Sequence, residues 1–173
     1  MQIKHRDFDF QIKAVETDGF FSGYGSVFGV KDSYDEVVAP GAFAKSLALR
    51  EEKGRKLPVL WQHRAGEPIG IYEAVREDAT GLYMEGRLLV NEIARAKEAH
   101  ALMKAGAVSG MSIGFYTKAD KWDEKGRVRT LLEIDLQETS IVTFPANDEA
   151  RVSAVKSLEH MLKAGKLPTL PEF

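Results

Sequence analysis

The sequence predicts an α+β fold, a mainly antiparallel β-barrel of about seven strands with flanking helices. Three observations carry this. Aromatic and β-branched runs with two-residue alternation fill most of the chain. Neighbouring runs are joined by short turn sequences, Glu77-Asp78-Ala79-Thr80-Gly81 and Asp123-Glu124-Lys125-Gly126, as hairpins require. Helical periodicity is strong in only two stretches, which do not alternate regularly with the strands and so argue against a doubly wound parallel sheet.

Taken in order, Phe8 to Val15 sets Phe8, Phe10 and Ile12 against Asp9, Gln11 and Lys13, a half-buried strand. After the turn Thr17-Asp18-Gly19, Phe20 to Val30 carries Gly23, Gly25 and Gly29, where bends or bulges are expected. Asp32 to Glu36 reads as a loop, and Pro40-Gly41 precedes a short helix over Ala42 to Glu52 with Phe43, Leu47 and Leu49 toward the core. Lys56 to Gln62 is an apolar strand ending at His63, and Glu67 to Arg76 pairs with Leu82 to Val90 as a hairpin. The clearest helix runs from Asn91, a candidate cap, to Ala105. It has Ile93, Ala96, Ala99, Leu102 and Met103 on one face, and Gly106 ends it. Met111 to Trp122 and Arg127 to Phe144 are strands, and a second helix from Asp148 carries Val152, Val155, Leu158, Met161 and Leu162 until Gly165. Residues 1–165 are expected to form a single domain, and 166–173, with two prolines, an extended tail.

At 173 residues with 44% hydrophobic and 29% charged residues, the chain reads as soluble and globular. Its net charge of −2 offers no footprint for nucleic acid, and no apolar run approaches the ~20 residues that span a bilayer. The first residues carry charges where a signal peptide has its apolar run. With no cysteine, disulfides, thiolate metal sites and a cysteine nucleophile are excluded. His5, His100 and His160 have no metal-ligand spacing, and no cofactor motif appears.

The chemistry-bearing segment is Gly110-Met111-Ser112-Ile113-Gly114-Phe115, read with His63 upstream and Glu138 downstream. A serine nucleophile needs a base to take its proton, and the base needs a third group to orient it. The glycine spacing matches a nucleophile elbow, but an elbow needs strand, sharp turn and helix, and the order serine, acid, histidine. Here Ile113, Phe115, Tyr116 and Trp122 continue as strand, and the downstream histidine, His160, lies in an amphipathic helix.

Leu60-Trp61-Gln62-His63-Arg64-Ala65-Gly66, Ser109 to Phe115 after the helix that ends at Gly106, and Glu138-Thr139-Ser140-Ile141-Val142-Thr143-Phe144-Pro145-Ala146-Asn147 together resemble the prohead maturation proteases of tailed bacteriophages. That family is similar in fold and mechanism to the herpesvirus assemblins. Val38-Ala39-Pro40-Gly41-Ala42-Phe43 fits it too, so the resemblance spans roughly residues 10 to 155. It implies a herpesvirus-protease-like fold, Ser112 as nucleophile, His63 as base, and Glu138 where assemblins place a second histidine. It further implies a serine endopeptidase that cuts the scaffold or major capsid protein precursor, and itself, without cofactor or metal. The place of action would be the procapsid interior, assembled in the bacterial host cytoplasm. The assemblin arginine pair is replaced by Phe144-Pro145-Ala146-Asn147, so the oxyanion donors stay open among backbone amides near Gly110 or Gly114 and Arg151. Assemblins dimerise through a helix, which leaves self-association open here.

Plainer readings stand beside these. His63 could be a structural histidine, Ser112 a small strand residue, and Ser109 or Ser140 the reactive serine instead. Glu138 falls on the apolar face of its strand, where a carboxylate needs a partner, either His63 or an arginine, with Asp135 the fallback acid. The runs Arg50-Glu51-Glu52-Lys53 and Asp120 to Arg129 read as solvated surface. A catalytically silent assembly or scaffold module and a small-ester hydrolase remain alternatives to the endopeptidase.

Overall fold

The computed structural model describes residues 4–8, 12–15, 18–32 and 34–143. The helix expected from Asp148, Arg151 and the tail 166–173 lie outside the described residues. The strands are β1 (Lys4–Phe8), β2 (Ile12–Val15), β3 (Phe20–Val27), β4 (Glu36–Val38), β5 (Pro58–Trp61), β6 (Arg64–Glu77), β7 (Gly81–Leu88), β8 (Gly110–Asp123) and β9 (Val128–Val142). Helix α1 (Ala44–Glu52) lies between β4 and β5 in the chain, and α2 (Ala94–Lys104) between β7 and β8. One mixed sheet runs β1-β8-β9-β5-β6-β7-β3-β2, with β4 also on β9, and curls into a half-barrel. Antiparallel pairings prevail as expected, and the two parallel ones, β4 and β5, both fall on β9.

The front of the chain departs from the expectation. Phe8 to Val15 is not one strand: β1 pairs β8 and β2 pairs β3, at opposite ends of the sheet. Alternation continues in the same phase through both, so periodicity alone cannot find the break. Gly25 behaves as anticipated. It is the extra residue where the register of β3 shifts against β7, and a Cβ there would stand 2.4 Å from Met84 Sδ.

The core gathers Phe21, Phe43, Leu57, Ile69, Leu82, Met84, Leu88, Met111, Ile113, Phe115 and Leu131, all at most 2% exposed. Burying each such side chain contributes roughly 1.5–3 kcal/mol. On α2, Ala96, Ala99 and Met103 face this core as predicted, while Leu102 is exposed. Asn91 does not cap the helix. Ile93 holds that position without a side-chain hydrogen bond, because a turn through Leu89 to Ile93 delays the helix start.

Helix α1 has a structural task that its composition hides. Between the stretches of β9 paired with β4 (129–131) and β5 (139–141), that edge has no strand partner. The gap is filled from α1 and the turn before it. Ile134 N–H donates to the Ala42 carbonyl (2.8 Å), Leu136 N–H donates to Ser46 Oγ (2.9 Å), and Arg50 Nη2 donates to the Leu136 carbonyl (2.7 Å). Buried backbone groups must be satisfied somewhere, and here a helix does it. Arg50 is therefore not part of a solvated run; burial lowers its pKa from the usual arginine value. Leu49, expected in the core, is 48% exposed, and Ser46 is buried instead, because the face of α1 that meets β9 must supply polar partners.

Candidate active site

Three neighbouring strands bring the candidate residues together. Ser112 and Ser140 are direct cross-strand partners on β8 and β9, as are Gly114 and Glu138. Opposed residues of an antiparallel pair project to the same face, with Cβ atoms roughly 4.5–5.5 Å apart. Residues two apart on one strand also share a face. Ser112, Gly114, Glu138 and Ser140 therefore occupy one face of the sheet. The residue between them on each strand, Ile113 or Thr139, turns its side chain to the other face.

Glu138 is re-aimed by a local irregularity. The register steps from Gly114↔Glu138 to Phe115↔Leu136, leaving Gln137 as an extra residue in β9. Such bulges bend a strand and redirect the neighbouring side chain. Glu138 is 8% exposed, as its place in an apolar run implied, but the simple alternation from Leu136 is interrupted just before it. The space for its carboxylate comes from Gly114. A Cβ on residue 114 would lie 2.3 Å from Glu138 Oε1 and 2.9 Å from Cδ. The second glycine of the Gly-x-Ser-x-Gly motif thus makes room for an acid. It does not shape an elbow, since Ser112 sits inside a continuous strand that leads into the β8–β9 hairpin.

His63 arrives from the next strand. β5 runs parallel to β9, with Leu60 beside Ser140 and Trp61 beside Ile141. Trp61 then pairs with Arg64 of β6, so Gln62 and His63 form a two-residue hairpin turn. Both have positive φ, 53° and 59°, the left-handed region required in the turns that suit twisted strands. Glycine or asparagine usually sits there, and other residues cost of order 1–3 kcal/mol each. Hydrogen bonds to β9 and to Thr143 just past its end offset the strain. Gln62 N–H donates to the Ile141 carbonyl (3.0 Å), Gln62 Nε2 donates to Thr143 Oγ1 (2.8 Å), and His63 N–H donates to Ser140 Oγ (3.0 Å).

The turn carries the imidazole back to the acid. His63 Nδ1 lies 2.7 Å from Glu138 Oε1, while the other carboxylate oxygen, Oε2, accepts from Ser140 Oγ at 2.7 Å. An ionised carboxylate only accepts, so this contact assigns the ring proton to Nδ1 and leaves Nε2, itself buried, with its lone pair. Of the two partners open to Glu138, the structure therefore supplies the histidine. Behind the site Tyr72 is buried, and that burial, with the Glu138 charge nearby, pushes its phenol well above the usual range.

Ser112 itself is wholly buried. Its strand is paired on both edges, by β9 and by β1, where Asp7 stands opposite Ser112. Gly110 lies opposite Val142, and Gly114 lies between His5 and Glu138, so both glycines are inside the ladder. Ser109 lies just outside β8 and is half-buried. Asp135 is remote from this cluster; it pairs in register with Tyr116 and sits 3.5 Å from Lys118 Nζ. His100 is half-buried on α2. Among the described residues, no group of three or more His, Asp or Glu side chains could hold a metal ion. The sequence marked Ser140 as a rival nucleophile and Gly114 as a possible source of a backbone donor, not for the contacts they make here, and it gave no sign of the Gln62–His63 turn.

The model of the caudovirus prohead serine protease family matches residues 8–164. The prohead protease of Enterobacteria phage HK97 is 37% identical over 144 residues, covering 82% of this chain and 62% of that protein. The prohead protease of Escherichia phage T5 is 27% identical over 128 residues, covering 74% of this chain and 59% of that protein. A capsid polyprotein of Pseudomonas phage PAJU2 is 34% identical over 113 residues, 62% of this chain and 17% of its own length. The chain thus spans less than two thirds of the length of each of these relatives. In fold, it superposes on the bacteriophage T4 capsid assembly protease with a TM-score of 0.62 at 14% identity, covering 83% of this chain and 98% of that one. With most of its length matched by the family model, the chain belongs to the caudovirus prohead serine proteases.

Proposed function

We propose that this chain is a serine endopeptidase that cleaves a capsid or scaffold protein precursor, and itself, within the phage procapsid. The observation that carries the reading is the hydrogen bond from His63 Nδ1, in the turn after β5, to Glu138 Oε1 on β9, the strand paired with that of Ser112. In this mechanism Ser112 Oγ attacks the peptide carbonyl while His63 Nε2 takes the serine proton. The C–N bond then breaks, His63 returns that proton to the leaving amine, and an acyl-enzyme remains on Ser112. Water attacks it next, giving its proton to His63; the ester C–O bond breaks, His63 passes that proton to Ser112 Oγ, and the new carboxyl end leaves. Glu138 holds the ring in the Nδ1–H tautomer and stabilises the imidazolium formed in each half-reaction. Activity falls on acidification, because a protonated His63 accepts nothing. The names prohead protease and capsid polyprotein among the relatives support a capsid precursor as the substrate.

The complete burial of Ser112, with β1 along the free side of its strand, favours a second reading: a silent assembly module. Intact mass spectrometry of the capsid precursor incubated with wild type, Ser112→Ala and Ser109→Ala separates the two. Cleavage by wild type and Ser109→Ala, with a loss of about 10⁶-fold in Ser112→Ala, is the expected result. Cleavage that survives Ser112→Ala refutes the nucleophile. No cleavage by any folded variant favours the silent module.

A further inference from the structure

We propose that Ser140 is a positioning residue of this site, the group that ties both ends of His63 to one carboxylate. The inference rests on the serine-protease reading but concerns a residue outside its triad. Ser140 is wholly buried on β9, directly opposite Ser112. A hydroxyl has one proton to donate and two lone pairs to accept with. Ser140 donates to Glu138 Oε2 (2.7 Å) and accepts the backbone N–H of His63 (3.0 Å). Glu138 meanwhile uses Oε1 for the ring of His63 (2.7 Å). The result is a closed circuit: His63 backbone to Ser140, Ser140 to Glu138, Glu138 to His63 imidazole.

Each connection restrains a different freedom. With both oxygens engaged, the carboxylate cannot rotate away from the ring. With its N–H held, His63 is kept at positive φ in a turn that otherwise resists that conformation. The Ser140 proton points to an acid, not to the ring of a base, so this serine is not activated as a nucleophile despite its place beside Ser112. Alanine would fill nearly the same volume while deleting both contacts. A mere spacer would tolerate that change. A positioning group would not, because misplacing a base by about 1 Å can cost a hundredfold in rate.

The test uses the whole chain with Ser140→Ala and Ser140→Thr, and has two readouts. The first is kcat and KM on a peptide spanning the junction cut in the capsid precursor. The second is the His63 Nδ1–H proton resonance in ¹⁵N-histidine-labelled protein carrying Ser112→Ala, which needs no catalysis. Ser140→Ala is expected to lower kcat about 10- to 100-fold with KM nearly unchanged. It should also lose the protected ring-proton signal while keeping a cooperative thermal transition. Ser140→Thr, which retains the hydroxyl, restores the signal and most of kcat. Unchanged kcat and signal in Ser140→Ala overturns the proposal, as does equal loss in Thr and Ala. Loss of the thermal transition in Ser140→Ala also overturns it, since the hydroxyl would then serve the fold. A wild type that cuts nothing, with a ring signal that still depends on Ser140, upholds the positioning role and refutes the protease reading alone.

Discussion

At its site end the β8–β9 hairpin buries Ser112, Thr139 and Ser140 completely, whereas at its far end Trp122 is 53% exposed and charged residues pair along the surface. Both halves belong to one antiparallel ladder, so the backbone physics is shared. What differs is how each polar side chain is held. Near Ser112, short contacts are shut away from water, and each oxygen of the Glu138 carboxylate has its own donor. Midway along the ladder, Lys118 sits 3.5 Å from Asp135, both side chains partly in solvent. Arg129, between Glu36 and Asp120, is intermediate, with one partner buried and the other open. Low dielectric strengthens a satisfied polar network and penalises a broken one; water levels both effects.

Substitutions along this ladder should therefore grade steeply from one end to the other. Below the loss already expected for Ser112→Ala, the largest effect falls on the acid. Glu138→Gln keeps the volume but presents an amide to His63, and kcat should drop about 10⁴-fold with the fold retained, measured on the precursor peptide and by circular dichroism. Gly114→Ala comes next. Its methyl displaces the Glu138 carboxylate, and a loss of about 100-fold in kcat is expected. If Gly114→Ala keeps full activity, the carboxylate has another place to stand and the tight fit at β8 is not functional. The smallest effect belongs to the solvated pair: Lys118→Ala should change unfolding free energy in urea by less than about 0.5 kcal/mol and leave cleavage untouched. A large effect there would erase the contrast between the two ends.

Legibility in the sequence follows the same gradient from local to long-range. The β8–β9 hairpin and α2 announce themselves through periodicity, because their patterns lie within one or two elements. Glu138 is buried as expected, but the extra residue Gln137 puts it on the opposite face from Leu136, with which simple alternation had grouped it. His63, Ser112 and Glu138 could be named from separated motifs, and in the structure His63 lies 2.7 Å from Glu138. The hairpin turn at Gln62–His63 could not be read, because Gln-His has none of the turn chemistry of Asn-Gly, and the strain is offset by residues on another strand. Ser140 looked like a rival nucleophile for a related reason. Its role exists only once β5 lies beside β9 in one register, and no local pattern encodes that parallel pairing. Arg50 was misplaced and Ser46 passed over because a polar helix face normally meets water; here it meets an unpaired strand edge.

Gly114 contributes no reactive atom, yet the carboxylate beside it fits only because nothing projects from that Cα. In a saturation-mutagenesis screen scored by progeny phage, position 114 should thus be as intolerant as a residue with chemistry of its own. Its intolerance would record an emptiness that the reaction needs.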